Sequence, residues 1–141
     1  LPYGCMVDEF QHIMYQQPDL TPDERNAVWL ELEKKYRPWN KFGDLPFYGR
    51  GAGWQRQLHI FECPFYYIDY ALAQVCAFSL YDEMKRDRAG AWARYMKLCK
   101  AGGTKGYFDL LRDAEIPVPF EDGAVEQAVR GVIEEIESAG Y

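Results

Sequence analysis

Histidine is scarce in this chain: its 141 residues include only His12 and His59. That scarcity excludes an H-E-x-x-H pattern, in which two histidines one helical turn apart bind zinc and the glutamate acts as base. The nearest imitation is Glu9-Phe10-Gln11-His12, one carboxylate and one imidazole a turn apart. Catalytic zinc usually takes three protein ligands, so no metal ligands are assigned within this chain. Basic charge is also short. Sixteen Lys and Arg against 22 Asp and Glu leave a formal net charge of -6, the wrong sign for a nucleic-acid partner. No apolar run approaches the roughly 20 residues of a bilayer span, and no charged-then-apolar leader precedes Leu1-Pro2, so no membrane partner is expected. Cys5, Cys63, Cys76 and Cys99 show no C-x-x-C spacing and lie in or beside apolar stretches. Free buried thiols in a reducing, cytoplasmic compartment are therefore expected.

No alternating strand pattern is present, and the expectation is an all-α fold of about six helices in a single segment, residues 1–141. Met6, Val7, Phe10, Ile13 and Met14 recur at three- and four-residue spacing, an amphipathic stripe that ends before Pro18. Thr21-Pro22-Asp23-Glu24 combines a capping box with proline at the first helical position. It starts a helix that runs to about Tyr36 and buries Val28, Trp29 and Leu32. A further amphipathic segment carries Ala91, Trp92, Tyr95, Met96, Leu98 and Cys99. Gly102-Gly103-Thr104-Lys105-Gly106 lacks the spacing of a phosphate loop and reads as a helix end followed by a Thr104 cap. Tyr107 to Leu111 forms a short helix. Pro117 and Pro119 enforce an extended crossover, and the last helix, from about Gly123 to Ser138, turns Val125, Ala128, Val129, Val132, Ile133 and Ile136 inward.

Between Pro38 and Gly53 the chain is rich in glycine, proline and aromatics. Glycines at positions 51 and 53 let a backbone approach a ligand closely or swing. Long ordered loops are often functional, and many merely connect; here the connector reading has Trp39, Phe42 and Phe47 pinning the loop to the helices.

The densest chemistry lies from Trp54 to Gln74, W-Q-R-Q-L-H-I-F-E-C-P-F-Y-Y-I-D-Y-A-L-A-Q. His59 is followed by Tyr66, Tyr67 and Tyr70 where the pattern turns helical. The helix is expected to start near Trp54, break at Pro64 and resume from Phe65 to about Lys85. Tyr66, Tyr67 and Tyr70 are then three or four residues apart and share an edge, with His59 folded over toward them. An imidazole and several phenols on one face are donors able to steady an oxyanion. On the residues alone, the segment reads more readily as an ordinary aromatic-rich core helix.

This run, with W-Q-R-Q before it, closely resembles the C-terminal part of the catalytic domain in the oligoendopeptidase F branch of zinc peptidases, relatives of thimet oligopeptidase. The likeness extends from L-P-Y-G-C-M-V-D-E-F-Q-H at the start to the G-G-T segment and the P-V-P-F turn. It implies the helical C-terminal portion of a zincin-like domain whose H-E-x-x-H region lies outside this chain. It implies further that zinc belongs to the complete enzyme, that short peptides are the substrates and that the N-terminal remainder of the peptidase is the partner. His59 and Tyr70 carry over as donors to the tetrahedral intermediate. Tyr66 and Tyr67 are both candidates for the second hydroxyl, and Gly51 and Gly53 for substrate contact.

Two other readings compete. One is a stand-alone acidic helical module whose aromatic groove holds an apolar segment or another chain, with self-association through exposed apolar surface. The other is a degenerate relative that keeps the fold without the metal chemistry.

Overall fold

A computed structural model describes residues 1–140, and among these it contains helices, turns and no strand. Seven α-helices occur: α1 Pro2–Gln16, α2 Pro22–Tyr36, α3 His59–Glu62, α4 Ile68–Arg86, α5 Arg88–Ala101, α6 Tyr107–Asp113 and α7 Ala124–Ser138, with a 3₁₀ helix over Ala52–Arg56. The all-α expectation is met, and none of these helices is long and apolar enough to cross a membrane. The chain divides into two compact units, Leu1–Ala71 and the residues from Leu72 onward.

In the first unit, α1 and α2 begin where the sequence dictates. Proline occupies the first turn of each, where its missing N–H costs nothing. Thr21 caps α2: its backbone N–H donates to Glu24 Oε2 at 2.8 Å, and its hydroxyl accepts from the Glu24 N–H. Such a cap contributes about 0.5–2 kcal/mol. The apolar stripe of α1 is fully buried at Met6, Val7 and Phe10 and meets Trp29 and Leu32 of α2 together with Trp54. Phe10 sets its edge against Trp29 at a centroid distance of 5.1 Å and lies 5.6 Å from Trp54. These spacings fall in the favourable aromatic range, worth about 0.5–1.5 kcal/mol per pair beyond area burial.

The segment between α2 and α3 is locked onto α2. The Trp54 indole N–H donates to the buried Asn26 Oδ1 at 2.9 Å. Gly51 takes φ +84°, and a Cβ there would lie 2.1 Å from the Asn26 carbonyl oxygen. Only glycine fits that backbone and that approach. Phe42 stacks on Tyr48, and Phe47 meets Tyr48 edge-on. Trp39, by contrast, is 65% exposed and does not pin the loop.

The second unit is built around Cys76, Leu111, Ala114, Ile116 and Val118, with Leu80 and Leu98 packed against them. The extended Ile116-to-Val118 crossover is thus a core strut. On α7 the buried face is the small-residue row Ala124, Ala128 and Gly131. A Cβ on Gly131 would come within 2.4 Å of Asp82 Oδ1, so glycine permits the approach of α7 to α4. Tyr81 and Lys85 of α4 both donate to the Glu135 carboxylate.

Several expectations are corrected. Val125, Ile133 and Ile136 are exposed, because the buried face of α7 is set by its small residues rather than by its branched ones. Trp92 and Tyr95 of α5 are likewise exposed. Thr104 does not cap α6; its hydroxyl donates to the Ala101 carbonyl at 2.6 Å, closing α5 instead, and Gly106 stands at the α6 N-cap. All four cysteines are free, but only Cys76 is buried, while Cys63 and Cys99 are exposed.

Candidate functional site

The region from Gln57 to Tyr70 is more broken than its periodicity suggests. The 3₁₀ helix ends at Arg56, α3 makes a single turn over His59–Glu62, and α4 starts at Ile68. Tyr66 and Tyr67 therefore sit in the turn before α4, not on a continuous helix edge. Two devices shape this turn. Pro64 ends the α3 turn by excluding regular helix before it, and Phe65 adopts φ +64°. That left-handed residue is held by Gln11 of α1, which is 1% exposed. Gln11 Oε1 accepts the Phe65 N–H at 2.8 Å, and its Nε2 donates to the Val7 carbonyl. The Phe65 ring rests on His12 and Tyr15, with centroids 4.9 and 5.0 Å away. Gly4 lets α1 close on the start of α4: a Cβ there would meet the Ala71 Cβ at 3.4 Å.

The outcome is a cluster of four rings. His59 stacks on Tyr66 with planes 8° apart at 6.2 Å, and meets Tyr67 at 5.0 Å and Tyr70 at 6.0 Å edge to face. Tyr70 in turn contacts Tyr66 at 5.5 Å and Tyr67 at 5.2 Å. The histidine and all three tyrosines named from sequence are thus brought together. Tyr66 and Tyr70 remain 46% and 51% exposed, so their hydroxyls are accessible. Hydrogen bonding with Tyr66, followed by loss of solvent and the nearby Tyr66, Tyr67 and Asp69 groups, raises the Tyr70 pKa above its ordinary value. Tyr70 is therefore a protonated donor at neutral pH.

Two residues absent from the sequence reading complete the geometry. The Tyr3 hydroxyl donates to Gln57 Oε1 at 2.7 Å, and Gln57 Nε2 lies 2.7 Å from His59 Nδ1. Gln57 stands two residues before the histidine within W-Q-R-Q-L-H, a spacing that offered a weak signal. Tyr3, far away on α1, offered none. Tyr3 also packs edge-on against Tyr67 at 5.7 Å and lies beneath the Arg37 guanidinium. Arg37 is anchored by the buried Glu33, with Nε to Oε2 at 2.9 Å.

Gly51 and Gly53 are both buried against α2 rather than presented to a groove. A Cβ on Gly53 would sit 2.8 Å from Trp29 Nε1. Packing accounts for glycine at both positions. Glu9 is likewise engaged: Lys35 Nζ donates to both its oxygens, at 2.9 and 2.6 Å, and the Tyr36 hydroxyl donates to Oε2. His12 Nε2 lies 3.4 Å from Asp8. Among the described residues, no three His, Cys, Asp or Glu side chains converge in a way that could hold a metal ion. The donor set of the described residues does not fit a zinc site.

The segment is all-helical and gathers one histidine and three tyrosines, and comparison with known proteins shows what it is similar to. No family model matches the chain. Oligopeptidase PepF of Bacillus subtilis is 29% identical over 126 residues, covering 82% of this chain and 18% of that protein. The solved structure of PZ peptidase A with an inhibitor superposes with a TM-score of 0.91 at 44% identity, over 98% of this chain and 25% of that one. An oligoendopeptidase F from Bacillus anthracis gives a TM-score of 0.74 at 35% identity, over 98% of this chain and 21% of that one. The homologues and structural neighbours are oligoendopeptidase F-like peptidases, and the chain matches them as a partial segment. It spans about a quarter or less of their length.

Proposed function

We propose that this chain forms the C-terminal part of the catalytic domain of a zinc-dependent oligoendopeptidase that hydrolyses short peptides. Its own contribution is the donor cluster of His59, Tyr66, Tyr67 and Tyr70. Hydrolysis of a peptide bond places negative charge on the former carbonyl oxygen. Pre-positioned N–H and O–H groups aimed at that oxygen stabilise the transition state more than the substrate. The single observation that carries this reading is the convergence of three tyrosine rings within 6.2 Å of His59. They are assembled across a turn whose left-handed Phe65 is tied to α1 by a buried glutamine. An aromatic core helix needs neither the strained turn nor exposed phenols.

Zinc, in this proposal, is held by residues outside the chain; among the described residues no three possible ligands converge. The remainder of the peptidase is then the partner that covers the exposed tyrosines and excludes water from the cluster. The cytoplasm is the compartment in which the four free thiols persist without oxidation. Cleavage of a fluorogenic bradykinin-like peptide by the complete protein tests the proposal. Activity in the complete protein that falls in Tyr66→Phe or in Tyr67→Phe supports it and identifies the second hydroxyl. Full activity in a His59→Ala, Tyr70→Phe double variant would overturn it in favour of a packing cluster.

A further inference from the structure

The donor at His59 must carry its proton on the right nitrogen, and the first unit contains a means of choosing it. A neutral imidazole has one N–H and one bare nitrogen, and the partner of one nitrogen decides the state of the other. The amide of Gln57 lies between the Tyr3 hydroxyl, which can donate or accept, and a ring nitrogen of His59 whose role follows from the way the amide is turned. On one side its Oε1 accepts the Tyr3 hydroxyl at 2.7 Å. On the other its Nε2, which can only donate, is 2.7 Å from His59 Nδ1. Nδ1 must therefore accept, which leaves it bare and puts the ring proton on Nε2. Tyr3 is itself held: its ring is clamped edge-on by Trp29 at 6.4 Å and Tyr67 at 5.7 Å, and Arg37 lies 4.7 Å over its face. Burial, with smaller contributions from Tyr67 and Glu33, raises its pKa, so the hydroxyl keeps the proton it donates.

We propose that Gln57 is a positioning residue, oriented by Tyr3, that holds His59 in the Nε2–H tautomer and so makes it a hydrogen-bond donor. The inference rests on the peptidase reading for its purpose but not for its geometry. The relay joins α1 to the segment before α3, so the end of α1 controls an imidazole that sequence places far from it. Gln57 touches the ring from behind and plays no part at the reacting atoms.

The test reads the imidazole nitrogens directly, by long-range ¹H–¹⁵N correlation on the 141-residue chain at a pH where the ring is neutral. The wild type is expected to show a bare, pyridine-like Nδ1 and a protonated Nε2. In Gln57→Glu the carboxylate can only accept, so Nδ1 becomes protonated. In Tyr3→Phe, which keeps the ring contacts, the amide is free to invert and the two tautomers mix. A protonated Nδ1 in the wild type, or an unchanged Nδ1 in Gln57→Glu, would overturn the proposal. Turnover separates it from the peptidase reading. If Nδ1 responds as stated while a His59→Ala variant of the complete peptidase keeps its full kcat, the relay stands and the donor role of His59 falls. Where both hold, Gln57→Glu lowers kcat by about 10–100-fold, by analogy with the loss of an outer partner that orients a metal-bound histidine, with little change in KM.

Discussion

His59 and Tyr70 meet edge to face, their ring centroids 6.0 Å apart and their planes at 84°, although Pro64 and the left-handed Phe65 lie between them in the chain. The contact places a ring nitrogen and a phenol on the same accessible surface. Tyr70→Phe keeps every ring contact and removes only the hydroxyl. In the complete peptidase, kcat is expected to fall by about 10²–10³, the cost of losing one well-placed oxyanion donor. Thermal unfolding of the isolated chain should shift by no more than about 0.5 kcal/mol, as for other substitutions at exposed positions. Unchanged kcat would reassign Tyr70 to packing.

Several elements in each unit were legible because their signals are local. Pro22 with the Thr21–Glu24 box, the Met6–Val7–Phe10 stripe and the Pro117–Pro119 crossover all behave as their spacing implies. The convergence of His59 with Tyr66, Tyr67 and Tyr70 was legible through a specific run of residues. What was not legible depends on partners distant in sequence. The Phe65 turn needs Gln11, the His59 tautomer needs Tyr3, and glycine at position 51 needs the carbonyl of Asn26. A periodic pattern reports which face is apolar, not how close two backbones come. That is why α7 buries Ala124, Ala128 and Gly131 while Ile133 and Ile136 stay exposed.

Gly51 and Gly103, two of the five positive-φ glycines among the described residues, make a paired test of that distinction. Both have φ near 80°, but a Cβ at Gly103 meets nothing within 4 Å, whereas one at Gly51 meets the Asn26 carbonyl and Leu30. Gly103→Ala should cost about 1–2 kcal/mol, the left-handed penalty alone. Gly51→Ala adds a backbone clash and should lose markedly more, read as a lower urea midpoint for the same chain. Equal losses would mean that the 3₁₀ segment can lift from α2 without cost.

Alkaline pH probes Tyr3. Its pKa is raised in the folded chain, chiefly by burial. Its contribution to stability is therefore fully present below the ordinary tyrosine pKa of about 10. It is lost as pH rises from there through the folded value, because the unfolded chain releases its proton first. Tyr3→Phe should flatten the loss of stability above about pH 10 without abolishing it, since Tyr36 and Tyr81 are also raised, each by hydrogen bonding to a carboxylate. Unfolding midpoints measured across the alkaline range in both variants decide the point.

Metal content provides the sharpest check on where the chemistry is divided. Glu9 and His12 are the nearest imitation of a zinc motif in the sequence, yet Glu9 gives both carboxylate oxygens to Lys35 and accepts from Tyr36. Those bonds, Lys35 first and Tyr36 second, hold its pKa below the ordinary carboxylate value. The stabilising contribution is present above the unfolded carboxylate pKa of about 4.3 and is lost as pH falls through the folded one. Glu9→Gln should therefore reduce stability at neutral pH and flatten the acid limb, while zinc stays at background in both proteins. Stoichiometric zinc in the wild-type chain that disappears in Glu9→Gln would place a metal centre on α1 and reverse the proposal that this segment supplies donors alone.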